Sequence, residues 1–133
     1  FLHYGSTFAT EAMLAAYAHG RPWLRGAKRH AEAQLLHCED FLLKQCAPEV
    51  RPLRPEATYL LWLDCRGLGV PDPAEFLCQE AGVLLSPGAD FGGEATRQFA
   101  RLNAAVPRRT LAAALERIAR AVARQRAAVK VSI

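Results

Sequence analysis

One stretch constrains this chain more than any other. From Pro22 to about Cys46 apolar residues recur at three- and four-residue spacing (Trp23, Ala27, Ala31, Leu35, Cys38, Leu42), without an internal proline. Gly20 stands before the stretch, and Pro48, Pro52 and Pro55 follow it. The pattern predicts one helix of about 24 residues, ~36 Å long. That is long for the core of a 133-residue chain, and a helix of this length commonly links two parts of a larger body. Residues 7–19 read as a shorter, alanine-rich helix closed by Gly20, with Pro22 in the first turn of its successor.

Beyond the long helix the pattern changes. Residues 47–57 read as an extended connector because of their three prolines. Thr58–Cys65 is a strand candidate, apolar enough to be buried on both faces. Pro73 opens a short helix through Ala81, with Asp72 as N-cap and Gly82 as its stop. Val83–Ser86 is a second, short strand, residues 88–97 are a glycine-rich loop, and Phe99–Val106 is a third strand. Pro107 starts a final helix with the apolar stripe Leu111, Leu115, Ile118 and Val122. The predicted fold class is α+β: a small sheet of about three strands packed by helices and preceded by a long linking helix.

Charge and cysteine usage narrow the function classes. Net charge is +4, but residues 97–133 hold nine basic groups against Glu116 alone. Such a tail suits a polyanion or, more plainly, a solvated helix face. No run of ~18 apolar residues exists to cross a membrane, and no signal-peptide arrangement opens the chain. Cys38, Cys46, Cys65 and Cys78 form no C-x-x-C and sit among apolar residues, so buried reduced thiols and a cytoplasmic location are expected. His3, His19, His30 and His37 show no metal-ligand spacing with a cysteine, and no metal site is expected. Asp64 and Arg66 read as a structural pair. Phosphate-loop and nucleophile-elbow motifs are missing. The segment Ser86–Gly93, followed by Arg101 inside an apolar strand, is the one candidate site: an arginine fork can grip a carboxylate through two parallel N–H bonds, or it can make a structural ion pair.

Those residues also carry a resemblance. Pro55–Asp64, Gly82–Gly88, Phe91-Gly92, Phe99–Asn103, Pro107-Arg108 and Leu111, with the earlier Ala9–Tyr17, Gly20 and Trp23-Leu24, resemble the C-terminal part of fold-type I PLP-dependent enzymes. The branch is the class I/II aminotransferase-like C–S lyases, the cystathionine β-lyase group. Ala57 stands where the branch usually has glycine, and Gly93–Gln98 departs from its glycine-richer loop.

The resemblance implies that residues 1–46 are the end of a large domain and the inter-domain helix, and 47–133 the small C-terminal α+β domain. Arg101 then grips the substrate α-carboxylate. Asn103 holds strand or loop geometry beside it, and the Gly88–Phe91 loop closes part of the substrate mouth. The expected substrate-binding set is Arg101, Asn103, Gly88 and Phe91, with no catalytic residue. The lysine that holds pyridoxal 5'-phosphate in such enzymes has no counterpart here, since Lys28, Lys44 and Lys130 fall outside matching contexts. The cofactor is therefore expected in a longer parent and not on this chain, which would be inactive alone. The start at Phe1 rather than Met is read the same way. Expected partners are the missing PLP-binding domain, an amino-acid substrate and a second copy in a homodimer; neither membrane nor nucleic acid is expected. The competing expectation is a non-catalytic interaction module that presents Arg117, Arg120, Arg124 and Arg126 as an exposed stripe.

Overall fold

The computed structural model describes residues 6–131, with side chains through Val129; His3 and the Lys130 side chain lie outside the described residues. The chain forms two compact units, residues 1–30 and 31–133. The first holds α1 (Thr7–His19) and the opening turns of α2 (Arg21–Gln45), which runs on into the second unit. None of the α1 residues is buried. Gly20 closes α1 as expected, but in a right-handed conformation. Glycine is needed there for closeness, since a Cβ would lie 2.4 Å from the Ala16 carbonyl oxygen.

In the second unit the elements after α2 are β1 (Arg51–Leu53), β2 (Leu60–Asp64), α3 (Pro73–Ala81), β3 (Ser86–Pro87), the one-turn α4 (Ala89–Gly92), β4 (Phe99–Asn103) and α5 (Arg108–Val131). The sheet is fully antiparallel with order β1-β2-β4-β3. It therefore has four strands, one more than the sequence indicates. The extra one lies within the proline-rich 47–57 stretch, where β1 pairs with β2 at the sheet edge; a strand containing Pro52 is tolerated at an edge because one side of its backbone has no ladder to complete. The second strand, expected at Val83–Ser86, is instead the two residues Ser86–Pro87, and the predicted loop 88–97 is folded into α4 and a 3₁₀ turn, Gly93–Thr96.

Alternation in β2 and β4 sends Leu61, Leu63, Ala100 and Leu102 into the core. There they meet Leu35, Cys38 and Leu42 of α2, Leu77 of α3, and Leu111, Leu115, Ile118 and Val122 of α5. The predicted stripe of the last helix is thus its buried face. Capping of α3 also follows the sequence: Asp72 accepts from the Glu75 N–H at 3.0 Å, and Gly82 closes the helix at φ 60°. Gln34, buried in α2, donates to the Val106 carbonyl at 2.7 Å and ties α2 to the turn before α5. Three cysteines are buried, but Cys78 is exposed. Its neighbours are apolar in sequence, yet the helical period turns Ala74, Leu77 and Ala81 inward and Cys78 outward. Among the described residues no helix is long and apolar enough to cross a membrane.

Candidate functional site: an arginine on the open sheet face

The helices cover one face of the sheet. The other carries Trp62 and Asp64 from β2 and Phe99, Arg101 and Asn103 from β4. Register places Trp62 directly opposite Arg101, and Ser86 of β3 opposite Arg101 on the other side. The half-buried Arg101 guanidinium lies over the Phe91 ring, 4.3 Å from its centre. One of its nitrogens approaches the Ser86 hydroxyl at 3.4 Å. Among the described residues no carboxylate forms an ion pair with Arg101.

The other expected site residues shape the loop and the turn around Arg101. Gly88 is buried, and its N–H donates to the Phe99 carbonyl at 2.9 Å. Its carbonyl accepts from the Phe91 N–H at 3.0 Å and from the Thr96 hydroxyl at 2.7 Å. A Cβ at Gly88 would lie 2.0 Å from the Thr96 carbonyl oxygen, so only glycine fits. These bonds fold the loop so that Phe91 reaches Arg101. Asn103 is exposed; its Oδ1 accepts from the Ala105 N–H at 2.9 Å and shapes the turn after β4.

An aromatic row runs along the same face. Trp62 meets Phe91 edge-on at 5.5 Å and stacks on Phe99 at 5.8 Å and 15°. Arg66 lies over the far side of this row, 5.6 Å from the Phe99 centre. Arg66 differs from Arg101 in being neutralised: it donates to both Asp64 oxygens at 2.9 and 2.6 Å. That pairing holds the Asp64 carboxyl below the usual carboxylate range. The predicted Asp64–Arg66 structural pair is present. Trp62 is not among the sequence candidates, because its place beside Arg101 depends on strand register, which composition does not reveal.

Other charged groups fall elsewhere. In the second unit Lys44 is the one lysine with a described side chain; it pairs with Asp40 at 2.6 Å on α2, whose buried side packs on the core face. No group of three or more His, Cys, Asp or Glu residues among those described could hold a metal ion. Of the four arginines expected as an exposed stripe on α5, Arg117, Arg120 and Arg124 are exposed and Arg126 is half-buried, and two of them are engaged by acids. Arg124 binds the Glu80 carbonyl at 2.7 Å and its carboxylate at 3.2 Å, and Arg126 makes a two-pronged bridge to Glu49 at 2.7 and 2.6 Å. In the first unit a groove of about 660 Å³ is lined by Tyr17, Trp23, Leu24 and the basic Arg21, Arg25 and Lys28. It contains none of the expected site residues.

A four-stranded antiparallel sheet with helices on one face and a long leading helix is the small-domain fold of PLP-dependent transferases. Within that class the chain is homologous to part of the cystathionine β-lyase and C–S lyase branch. It is 36% identical over 117 residues to the cystathionine beta-lyase PatB of Bacillus subtilis, covering 85% of this chain and 29% of PatB. It is 37% identical over 108 residues to protein MalY of Escherichia coli, covering 80% of this chain and 27% of MalY. The PLP-bound C–S lyase of Staphylococcus hominis, solved with the inhibitor L-cycloserine, superposes with a TM-score of 0.81 at 30% identity, over 91% of this chain and 30% of that enzyme. The chain thus spans under a third of the length of these relatives. No protein-family model matches it.

Proposed function

We propose that this chain is the small-domain portion of a PLP-dependent C–S lyase or aminotransferase, and that Arg101 is its anchor for the substrate α-carboxylate. The observation that carries this is the Arg101 guanidinium itself: half-buried, backed by an aromatic ring and without an acid partner among the described residues. An arginine in that setting keeps its N–H fork available, and a carboxylate accepts two parallel bonds from it. Fixing an amino acid by its carboxylate orients the bonds at Cα. Gly88 and Thr96 shape the loop, Phe91 supports the anchor, and Asn103 sets the turn behind it.

The described residues do not fit PLP by themselves. Of the two lysines with described side chains, Lys44 is engaged with Asp40 on α2, and Lys28 lines the groove of the first unit with Arg21 and Arg25. The cofactor, which supplies the electron withdrawal in such enzymes, is assigned to a domain beyond this chain, and the chain alone is expected to be inactive. In this reading residues 1–46 are the end of the large domain and the linking helix, and 47–133 the small domain, with α2 from Gln34 onward feeding its core. The exposed Phe8, Tyr17, Trp23 and Leu24 of the first unit suit burial against that large domain. A cytoplasmic homodimer completes the proposal. The pairing of Arg124 with Glu80 and of Arg126 with Glu49 favours this reading over an interaction module built on the α5 arginines.

The test uses the longer PLP-containing protein that carries this chain. Arg101→Ala should raise KM for an amino-acid substrate by roughly 10- to 100-fold, the worth of a charge-assisted pair, with cofactor absorbance unchanged. An unchanged KM would sink the assignment.

A further inference from the structure

We propose that Trp62 is a positioning residue for the carboxylate anchor; this rests on the reading of Arg101 given above. Five side chains on the open sheet face form a continuous row in the order Arg66, Phe99, Trp62, Phe91, Arg101. A cation caps each end, and the two ends are treated differently. Arg66 is closed by Asp64 through both carboxylate oxygens, whereas among the described residues Arg101 has the aromatic face of Phe91 and the long contact to Ser86.

This difference has chemical content. An arginine needs a support to hold one orientation, because a free guanidinium loses rotamer entropy when it binds. An acid would give that support but would also occupy the fork. A ring face attracts the guanidinium through its quadrupole and leaves the in-plane N–H groups free. Phe91 supplies that face, but it sits on the one-turn α4 outside the sheet and is itself about half exposed. Trp62, on the central strand β2, is what holds it: its indole is edge-on to Phe91 and stacked on Phe99. Trp62 is also the cross-strand partner of Arg101, so strand and loop supports converge on one side chain. Edge-on and stacked aromatic pairs favour defined geometries, which a leucine of similar hydrophobicity does not impose. Trp62 therefore keeps the anchor aimed without neutralising it.

The 133-residue chain, labelled with ¹⁵N, allows a direct test. The Arg101 Nε–Hε resonance is assigned by its loss in Arg101→Lys and followed during titration with sodium acetate, against sodium chloride at equal ionic strength. The expected wild-type signal is displaced by the Phe91 ring and shifts saturably with acetate. Trp62→Leu should return the signal toward the position of a free arginine and weaken acetate binding about fivefold, with the backbone spectrum of residues 31–131 otherwise retained. Trp62→Phe should preserve both features. A Trp62→Leu chain that matches wild type in ring shift and acetate affinity overturns the positioning role while leaving the anchor in place. A wild-type Arg101 signal that ignores acetate overturns the anchor reading and the purpose assigned to the row. If Trp62→Leu loses its fold, Trp62→Met, which fills similar space without a ring, carries the same comparison.

Discussion

Arg126 offers a quantitative test of how the second unit is held together. Its guanidinium donates to both oxygens of Glu49 at 2.7 and 2.6 Å and to the Ala47 carbonyl at 3.2 Å. The bridge clamps the far part of α5 to the turn between α2 and β1. The Glu49 side chain keeps only 14% of its surface exposed, and the Arg126 side chain 36%. Exposed pairs contribute roughly 0.2–1 kcal/mol, whereas breaking a buried pair costs about 3–5 kcal/mol because the remaining charge is left in the protein. The mixed exposure here places Arg126→Met between these limits, at about 2 kcal/mol. For a unit of this size that lowers Tm by roughly 8 °C. Glu49→Gln removes the other charge of the pair, so the double variant should be more stable than the sum of the two single losses, with a coupling of about 1–2 kcal/mol. Urea unfolding followed by far-UV circular dichroism on the four proteins measures this. Additive losses, or a cost below about 0.5 kcal/mol for Arg126→Met, would refute the clamp and return Arg126 to the solvated face of α5.

Three further outcomes follow from local chemistry. Burial pushes the thiols of Cys38 and Cys46 up to about 11 and that of Cys65 to about 12. A thiol-reactive disulfide reagent at mildly alkaline pH should therefore label exposed Cys78 quickly and the other three only after unfolding; fast labelling of more than one thiol would contradict the packing. His37 is held below its ordinary 6.5, first by burial, then by the Arg108 charge, with Asp40 opposing, and its Nε2 is buried without a hydrogen bond. The unfolded state then binds more protons, so stability is complete above 6.5 and falls as pH drops through the depressed value; His37→Met should flatten that part of the stability profile, and an unaltered slope would refute the assignment. Thr58 holds φ 71°, costly for a β-branched residue, while its hydroxyl accepts from the Leu60 N–H at 3.2 Å. Thr58→Asn, which tolerates that φ and can keep the bond, should stabilise by about 1 kcal/mol in urea unfolding; a loss of stability would show that the strain is absent.

Much of this architecture is legible in the amino-acid sequence. The Gly20 and Pro22 punctuation marks the junction of α1 and α2, Asp72 and Gly82 bound α3, and the Leu111–Val122 stripe marks the buried face of α5. Each rests on local chemistry that needs no partner. What escapes depends on partners distant in sequence. The strand at Arg51–Leu53 exists because β2 offers it a ladder, and proline content alone argues against it. The 88–97 segment folds because the Thr96 hydroxyl and the Phe99 carbonyl meet Gly88. Cys78 faces outward because helical phase outweighs the apolar character of its neighbours. Arg101 stands out in the sequence as a lone charge in an apolar strand, but Trp62 does not. Only the pairing of β2 with β4 brings that indole to the arginine.

The anchor role of Arg101 is tested most directly by comparing two ligands that differ only in the carboxylate. In the PLP-containing protein that carries this chain, affinities for L-alanine and for ethylamine are read from the change in cofactor absorbance, for wild type and for Arg101→Gln. A bidentate charge-assisted contact predicts a wild-type preference for the amino acid of roughly 10- to 100-fold that collapses to about one in Arg101→Gln. A preference of equal size in both proteins would mean that the carboxylate is held elsewhere, and that the open face of this sheet serves another purpose.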